Sequence, residues 1–200
     1  INRLFNRNYF QYEGMIHEQV VSRDGRDYRT KSVDICAEHI GYMKEVVNRT
    51  GKIERNLELL THAVAMNGTD PYLQYQLGKT YFMAKRYGEA VVSFKEALKL
   101  NPDMRLEYVE DLVESYGYTL VNSGRYSEAL GLRQYENYYG RLPDYNFLMG
   151  IIYMNNAMFD MAVNSFKASI SGREGRIEGV NSFLPNYNMG VIYECLGHRK

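Results

Sequence analysis

The sequence predicts a mainly α-helical fold, a solenoid of antiparallel helix pairs with a small β piece at its N-terminus. Three observations predict it. Four glycines, Gly78, Gly117, Gly150 and Gly190, recur in nearly one context, separated by 39, 33 and 40 residues. The contexts read Tyr75-Gln76-Leu77-Gly78-Lys79-Thr80-Tyr81, Ser115-Tyr116-Gly117-Tyr118-Thr119-Leu120, Leu148-Met149-Gly150-Ile151-Ile152-Tyr153 and Asn188-Met189-Gly190-Val191-Ile192-Tyr193. This is a repeat of about 34 residues with two insertions. From about Gly41 onward the apolar residues return at helical spacing. Before that point short apolar and β-branched runs are separated by turn chemistry, which favours strands.

Within residues 1–40, Arg3-Leu4-Phe5 is a short apolar run, and Met15-Ile16 and Val20-Val21 flank His17-Glu18-Gln19. Ser22-Arg23-Asp24-Gly25-Arg26 is a turn, with Gly25 supplying the positive φ. Ser32-Val33-Asp34-Ile35-Cys36-Ala37 completes two or three expected strands. About 40 residues cannot bury a core alone, so these strands need the helices that follow or a further domain.

Residues 41–200 are expected to hold at least six helices, in units at 37–70, 71–104, 110–143, 143–176 and a partial 183–200. Gly51-Lys52-Ile53-Glu54-Arg55-Asn56 opens a divergent first unit, continued by Leu57, Leu60 and Ala63. Asp70-Pro71 starts a helix, since proline is tolerated in a first turn. Leu77, Tyr81 and Ala84 form its stripe. Arg86-Tyr87-Gly88-Glu89-Ala90 opens its partner, which turns Ala90, Phe94, Ala97 and Leu98 inward and stops at Asn101-Pro102. The second unit keeps Gly117, Leu120 and Ala129, and the third keeps Gly150, Tyr153, Ala162 and Phe166. Gly172 to Ser182 reads as a loop or inserted turn, and Leu184 to Leu196 as a lone first helix.

Composition narrows the function. The 200 residues carry 24 basic and 24 acidic side chains, so nothing steers the chain to nucleic acid. There is no Trp, but there are 19 Tyr and 10 Met, which fill packed positions with amphipathic and adaptable side chains. Cys36 and Cys195 can form at most one bridge; reduced, semi-buried thiols are the plainer reading. No apolar run reaches membrane-spanning length and no signal peptide is evident, so a cytoplasmic protein without a membrane span is expected. Ile1 in place of Met, and an end within a repeat, suggest a piece of something longer.

The stretch Pro71 to Pro102 carries Leu77-Gly78, Tyr81, Ala90, Phe94, Ala97 and Pro102 together. In this it resembles the tetratricopeptide repeat family, and the resemblance extends over residues 37–200. Gly78 and Ala90 are small so that two antiparallel helices can touch. The second unit departs from the pattern with Arg133 where an aromatic is usual. The resemblance implies a groove lined by first helices, displaying Tyr72, Tyr75, Lys79 and Phe82, then Glu114 and Tyr118, then Phe147, Ile151 and Met154, then Tyr187 and Val191. The alternative is that several of these pack between repeats. The set is aromatic and apolar with few cations, which suits a peptide, a protein side chain or a second copy of the chain. Glu107, Glu110, Asp111 and Glu114 read as an ordinary solvated helix face.

A second series runs through Arg3-Leu4-Phe5-Asn6-Arg7, Tyr12-Glu13-Gly14-Met15-Ile16-His17-Glu18-Gln19, Glu38-His39-Ile40-Gly41-Tyr42 and Lys52-Ile53-Glu54-Arg55-Asn56. Over residues 1 to about 66 it resembles the end of a family 2 glycosyltransferase catalytic domain of GT-A fold, in the bacterial branch that runs into tetratricopeptide repeats. That resemblance implies a parent enzyme moving a sugar from a nucleotide-sugar donor with Mn²⁺ or Mg²⁺, its repeats binding the acceptor or mediating association. It makes His17 the candidate for the metal or diphosphate and His39 the second. Each also reads as structural, His17 capping strand backbone and His39 packing at a helix entry. No Asp-x-Asp metal motif occurs in the 200 residues. The chain alone is therefore expected to be inactive, with no catalytic residue and no cofactor. The rival reading is a stand-alone repeat adaptor without enzymatic activity.

Overall fold

The computed structural model describes residues 4–13, 19–29, 31, 51–170 and 174–197. The chain forms two compact units, residues 1–68 and 69–200. In the first, β1 (Phe10–Glu13) pairs antiparallel with β2 (Gln19–Ser22), Phe10 opposite Ser22 and Glu13 opposite Gln19. Pairing begins at Phe10 rather than at Arg3-Leu4-Phe5 because Asn6 closes a turn. Its carbonyl accepts from the Tyr9 and Phe10 amides at 3.1 and 3.0 Å, and its side chain accepts from the Asn8 amide at 2.9 Å. Phe5 then folds back onto β1, its ring 6.4 Å from Phe10 and 5.0 Å from Tyr12, two residues on one face of the strand. Gly25 takes φ 70° after β2, as its turn requires. His17, His39 and the Ser32–Ala37 run lie outside the described residues. Helix α1 (Lys52–Met66) follows Gly51 at φ 54° and buries Leu60 and Ala63.

The second unit is built of helix pairs. Helix α2 (Pro71–Met83) is capped by Asp70, whose side chain accepts from the Tyr72 amide at 2.8 Å. It packs on α3 (Tyr87–Lys99). Helix α4 (Glu107–Asn122) packs on a broken partner made of α5 (Tyr126–Ala129), a 3₁₀ segment (Leu130–Tyr135) and α6 (Glu136–Tyr139). Helix α7 (Pro143–Asn155) pairs with α8 (Phe159–Ile170), and α9 (Phe183–Cys195) lies against α8. The first helices α2, α4 and α7 stand side by side.

The recurring glycines set the helix separations. A Cβ on Gly78 would lie 2.5 Å from the Phe94 ring, and one on Gly150 would meet Phe166 in the same way. The second unit solves the same problem differently. Its aromatic position is taken by Arg133, which is exposed. The partner helix has tightened to a 3₁₀ period of about three residues per turn. The residue over Ala129 is then Leu132, three positions on, where Phe94 and Phe166 stand four positions after Ala90 and Ala162. Leu132 is 1% exposed and would lie 2.8 Å from a Cβ on Gly117. The Tyr145 hydroxyl donates to the Leu132 carbonyl at 2.9 Å, satisfying an acceptor within the segment where the α-helix is interrupted.

One left-handed residue closes each inter-helix turn, five positions before the recurring small residue: Lys85 at φ 57°, Gly124 at 72° and Ala157 at 57°. A side chain is disfavoured there. Ala157→Gly is expected to stabilise the fold by about 0.5–1 kcal/mol. Thermal melting checks this, and a destabilised variant would contradict the strain argument.

Candidate functional site

The side-by-side helices α2, α4 and α7 carry the expected groove residues. Tyr72, Lys79 and Phe82 on α2, Tyr118 on α4, and Ile151 and Met154 on α7 are half-buried. Tyr75 and Phe147 are each 8% exposed. Phe147 packs on Phe166 at 5.6 Å and Phe82 on Tyr87 at 5.8 Å, so both rings serve helix packing. Tyr187 and Val191 on α9 are exposed. A Cβ on Gly190 would meet nothing within 4 Å, unlike those of the three preceding units.

This face carries carboxylates beside its aromatic and apolar residues. At its α2 end Tyr72, Tyr75 and Tyr108 form an aromatic cluster, with centroids 5.1–5.9 Å apart. Asp111 Oδ2 accepts from the Tyr75 hydroxyl at 2.5 Å and from Lys79 Nζ at 2.7 Å. Burial and the adjoining Asp111 carboxylate push the Tyr75 hydroxyl pKa far up, so it stays a donor. Lys79, the expected groove cation, is spent on Asp111. Burial raises the Asp111 pKa, but Lys79 and the two hydrogen bonds outweigh it and hold the carboxyl below its ordinary value.

Glu110, Glu114 and Asp144 form the next cluster, where α4 meets α7. Of the four acidic residues expected on a solvated helix face, Glu107 is exposed, but Glu110 and Asp111 are half-buried and Glu114 is 5% exposed; Asp144 on α7 is 3% exposed. The partner of the cluster comes from the inserted segment before α9. Arg176 Nη2 donates to Glu114 Oε2 at 2.5 Å and lies 3.1 Å from Glu110 Oε1. The Arg176 and Ile177 amides both donate to the Asp144 carboxylate at 2.9 Å. The inserted turn at 174–180 is thus a strap laid against the first-helix face. Val180 is fully buried, and a Cβ on Gly175 would clash with Val180 and Asp144. Burial lifts the Glu114 carboxyl to about 7, outweighing the pull of Arg176, while Asp144 and Glu110 push the same way as burial. Glu114 Oε1 is buried and accepts no hydrogen bond. Burial, Glu114 and Asp144 together raise the Tyr118 hydroxyl.

Asp111 and Asp144 were within reach of the sequence. Each stands six positions before its glycine, as Tyr72 does before Gly78, and the same step applied to Gly117 and Gly150 finds both. Arg176 had no such signal, because it lies beyond the helix pair of the third unit, which ends at Ile170, and 62 residues from Glu114.

The sequence profile of the tetratricopeptide repeat matches residues 71–104. The chain has a tetratricopeptide-like helical repeat fold. Among solved structures it resembles the crystal structure of YrrB, described as a TPR protein with an unusual peptide-binding site. The TM-score is 0.60 at 22% identity, over 78% of this chain and 75% of that one. It also resembles MamA from Desulfovibrio magneticus RS-1, residues 41 to the end. There the TM-score is 0.62 at 17% identity, over 76% of this chain and 81% of that one. No protein with a curated description matches the chain. None of these likenesses involves a glycosyltransferase. Among the described residues no cluster of three His, Cys, Asp or Glu side chains is placed to hold a metal, and no helix is long and apolar enough to cross a membrane.

Proposed function

We propose that residues 69–200 are a docking module that receives a peptide segment of another protein on the face of α2, α4 and α7, and that the chain works as an adaptor. One observation carries this reading. The face already holds a chain segment, the strap, by its main-chain amides and one side chain, as a bound peptide is held. The exposed free Cys195 suits a reducing, cytoplasmic setting. The test is peptide selection on the immobilised chain, followed by solution binding to Ile151→Glu and Met154→Glu variants. Selected peptides should lose about tenfold or more in affinity, since each variant puts a charge at a half-buried contact. Peptides indifferent to both variants would remove the reading.

The ordered motifs of residues 1–66 favour a second reading, in which the module is attached to a glycosyltransferase. In that reading His17 holds the divalent metal or the donor diphosphate. Sugar transfer from nucleotide-sugars with Mn²⁺ present, measured on the longest natural form of the protein, tests it. His17→Ala should then slow transfer by on the order of 10² while leaving the helices folded. Unaltered transfer in that variant would exclude the role.

A further inference from the structure

The strap carries the charge that balances this face. Glu110, Asp111, Glu114 and Asp144 bring four carboxylates to the junction of α4 with its neighbours, against Lys79 and Arg176. Lys79 belongs to the framework, since it is fixed on α2 and bonded to Asp111. Arg176 belongs to the strap, and its side chain remains 37% exposed while that of Glu114 is 6% exposed. The acidic wall is therefore built into rigid helices, and the cation that neutralises it sits on a loop. Glu114 also keeps a second, buried oxygen that Arg176 does not satisfy. A guanidinium presented in a bidentate fork engages both oxygens of one carboxylate. The strap's arginine bonds a single Glu114 oxygen and shares its Nη2 with Glu110. The site is occupied, but its hydrogen-bonding capacity is not filled.

We propose that Glu110, Glu114 and Asp144 form a recognition site for an arginine-bearing peptide segment, and that Arg176 of the strap is a resident competitor which an incoming arginine displaces. This rests on the peptide-docking reading and adds to it the charge of the partner and a device that sets its affinity. The groove is open only in the fraction of molecules whose strap is released, so the apparent affinity is lowered by that fraction. Only the Arg176 end of the strap has to lift. Asp144 holds that end by two backbone hydrogen bonds and Arg176 by its ion pairs, while the buried Val180 anchors the far end, and glycines stand at 175 and 179, Gly179 at φ 89°. A peptide that supplies its own arginine and main-chain amides replaces those bonds one for one. It gains where a bidentate fork also reaches the second Glu114 oxygen.

The probe is a fluorescein-labelled peptide with the strap's own sequence, residues 174–180, read by anisotropy against the full chain at a pH above the value of about 7 at which Glu114 ionises. A second probe carries alanine in place of its arginine. The Arg176→Ala chain should bind the arginine probe about tenfold or more tightly than the native chain does, because the side chain that competes for Glu110 and Glu114 is gone and the strap is left with only its two main-chain bonds to Asp144. It should bind the alanine probe at least about tenfold more weakly than the arginine probe. In the native chain, saturating arginine probe should speed hydrogen exchange at the Arg176 and Ile177 amides. Arg176→Met keeps the aliphatic stem and replaces Arg176→Ala if that variant melts early. Equal binding of the two probes overturns the arginine requirement and leaves the docking reading standing. Binding of neither probe to a folded variant also overturns the inference, and the peptide selection then decides the docking reading independently. Strap exchange between copies, seen as a dimer of the native chain by sedimentation, would replace the external partner with a second copy and overturn it as well.

Discussion

Gly78→Leu is expected to destabilise the helical unit by about 3 kcal/mol through overpacking, a loss of roughly 10 °C in melting temperature. The cause is local and geometric. A Cβ at this position would lie 2.5 Å from Phe94, and Phe94 is fully buried, so its ring has nowhere to move. The remaining atoms of leucine would have to force α2 and α3 apart, exposing Ala90 and Ala97 as well. Gly150→Leu should behave alike against Phe166. The control is Gly190→Leu. Its context in the sequence is the same, yet nothing stands within 4 Å of its Cβ position. That variant should be neutral or gain up to about 1 kcal/mol, because glycine is a poor helix former. Thermal melts of the three variants decide the matter. Equal effects at Gly78 and Gly190 would show that the glycines mark helix propensity and not helix contact.

Much of this architecture was legible in the sequence, for a definite reason. Residues that pack within one helix pair are close in the chain, so Gly78 with Phe94 and Gly150 with Phe166 recur at one spacing and announce themselves. Leu132 stays hidden as long as an α-helical period is assumed. At Leu130–Tyr135 the period is three, and the inward position moves from Arg133 to its neighbour. The β hairpin was legible as a region but not in register, since Asn6 ends the first apolar run by a side-chain turn that an apolar pattern does not reveal. The site was the least legible. Glu110, Asp111 and Glu114 look like any solvated face until the strap arrives, and only tertiary structure brings Arg176 to them. The groove positions follow from the repeat, whereas the charge they carry depends on an insertion outside it.

The same insertion governs the second large effect, the pH dependence of stability. Burial holds the Glu114 carboxyl at about 7, against an ordinary value of 4.5. The folded chain therefore keeps a proton that the unfolded chain has released. The stability this contributes is fully present below pH 4.5, falls as pH rises between 4.5 and about 7, and is lost above that. The free energy of holding that proton across this interval amounts to about 3 kcal/mol. Glu114→Gln has no proton to release there. Its amide oxygen can still accept from Arg176 and its size is unchanged. Urea unfolding of both chains across this pH range isolates the effect, because all other titrating groups are common to the two. The variant should gain about 3 kcal/mol on the native chain between acid and neutral pH. Stability curves that run parallel would mean that Glu114 ionises freely in the folded chain. In that event the pairing with Arg176 would be an ordinary surface ion pair and not a contact made inside a wall of carboxylates.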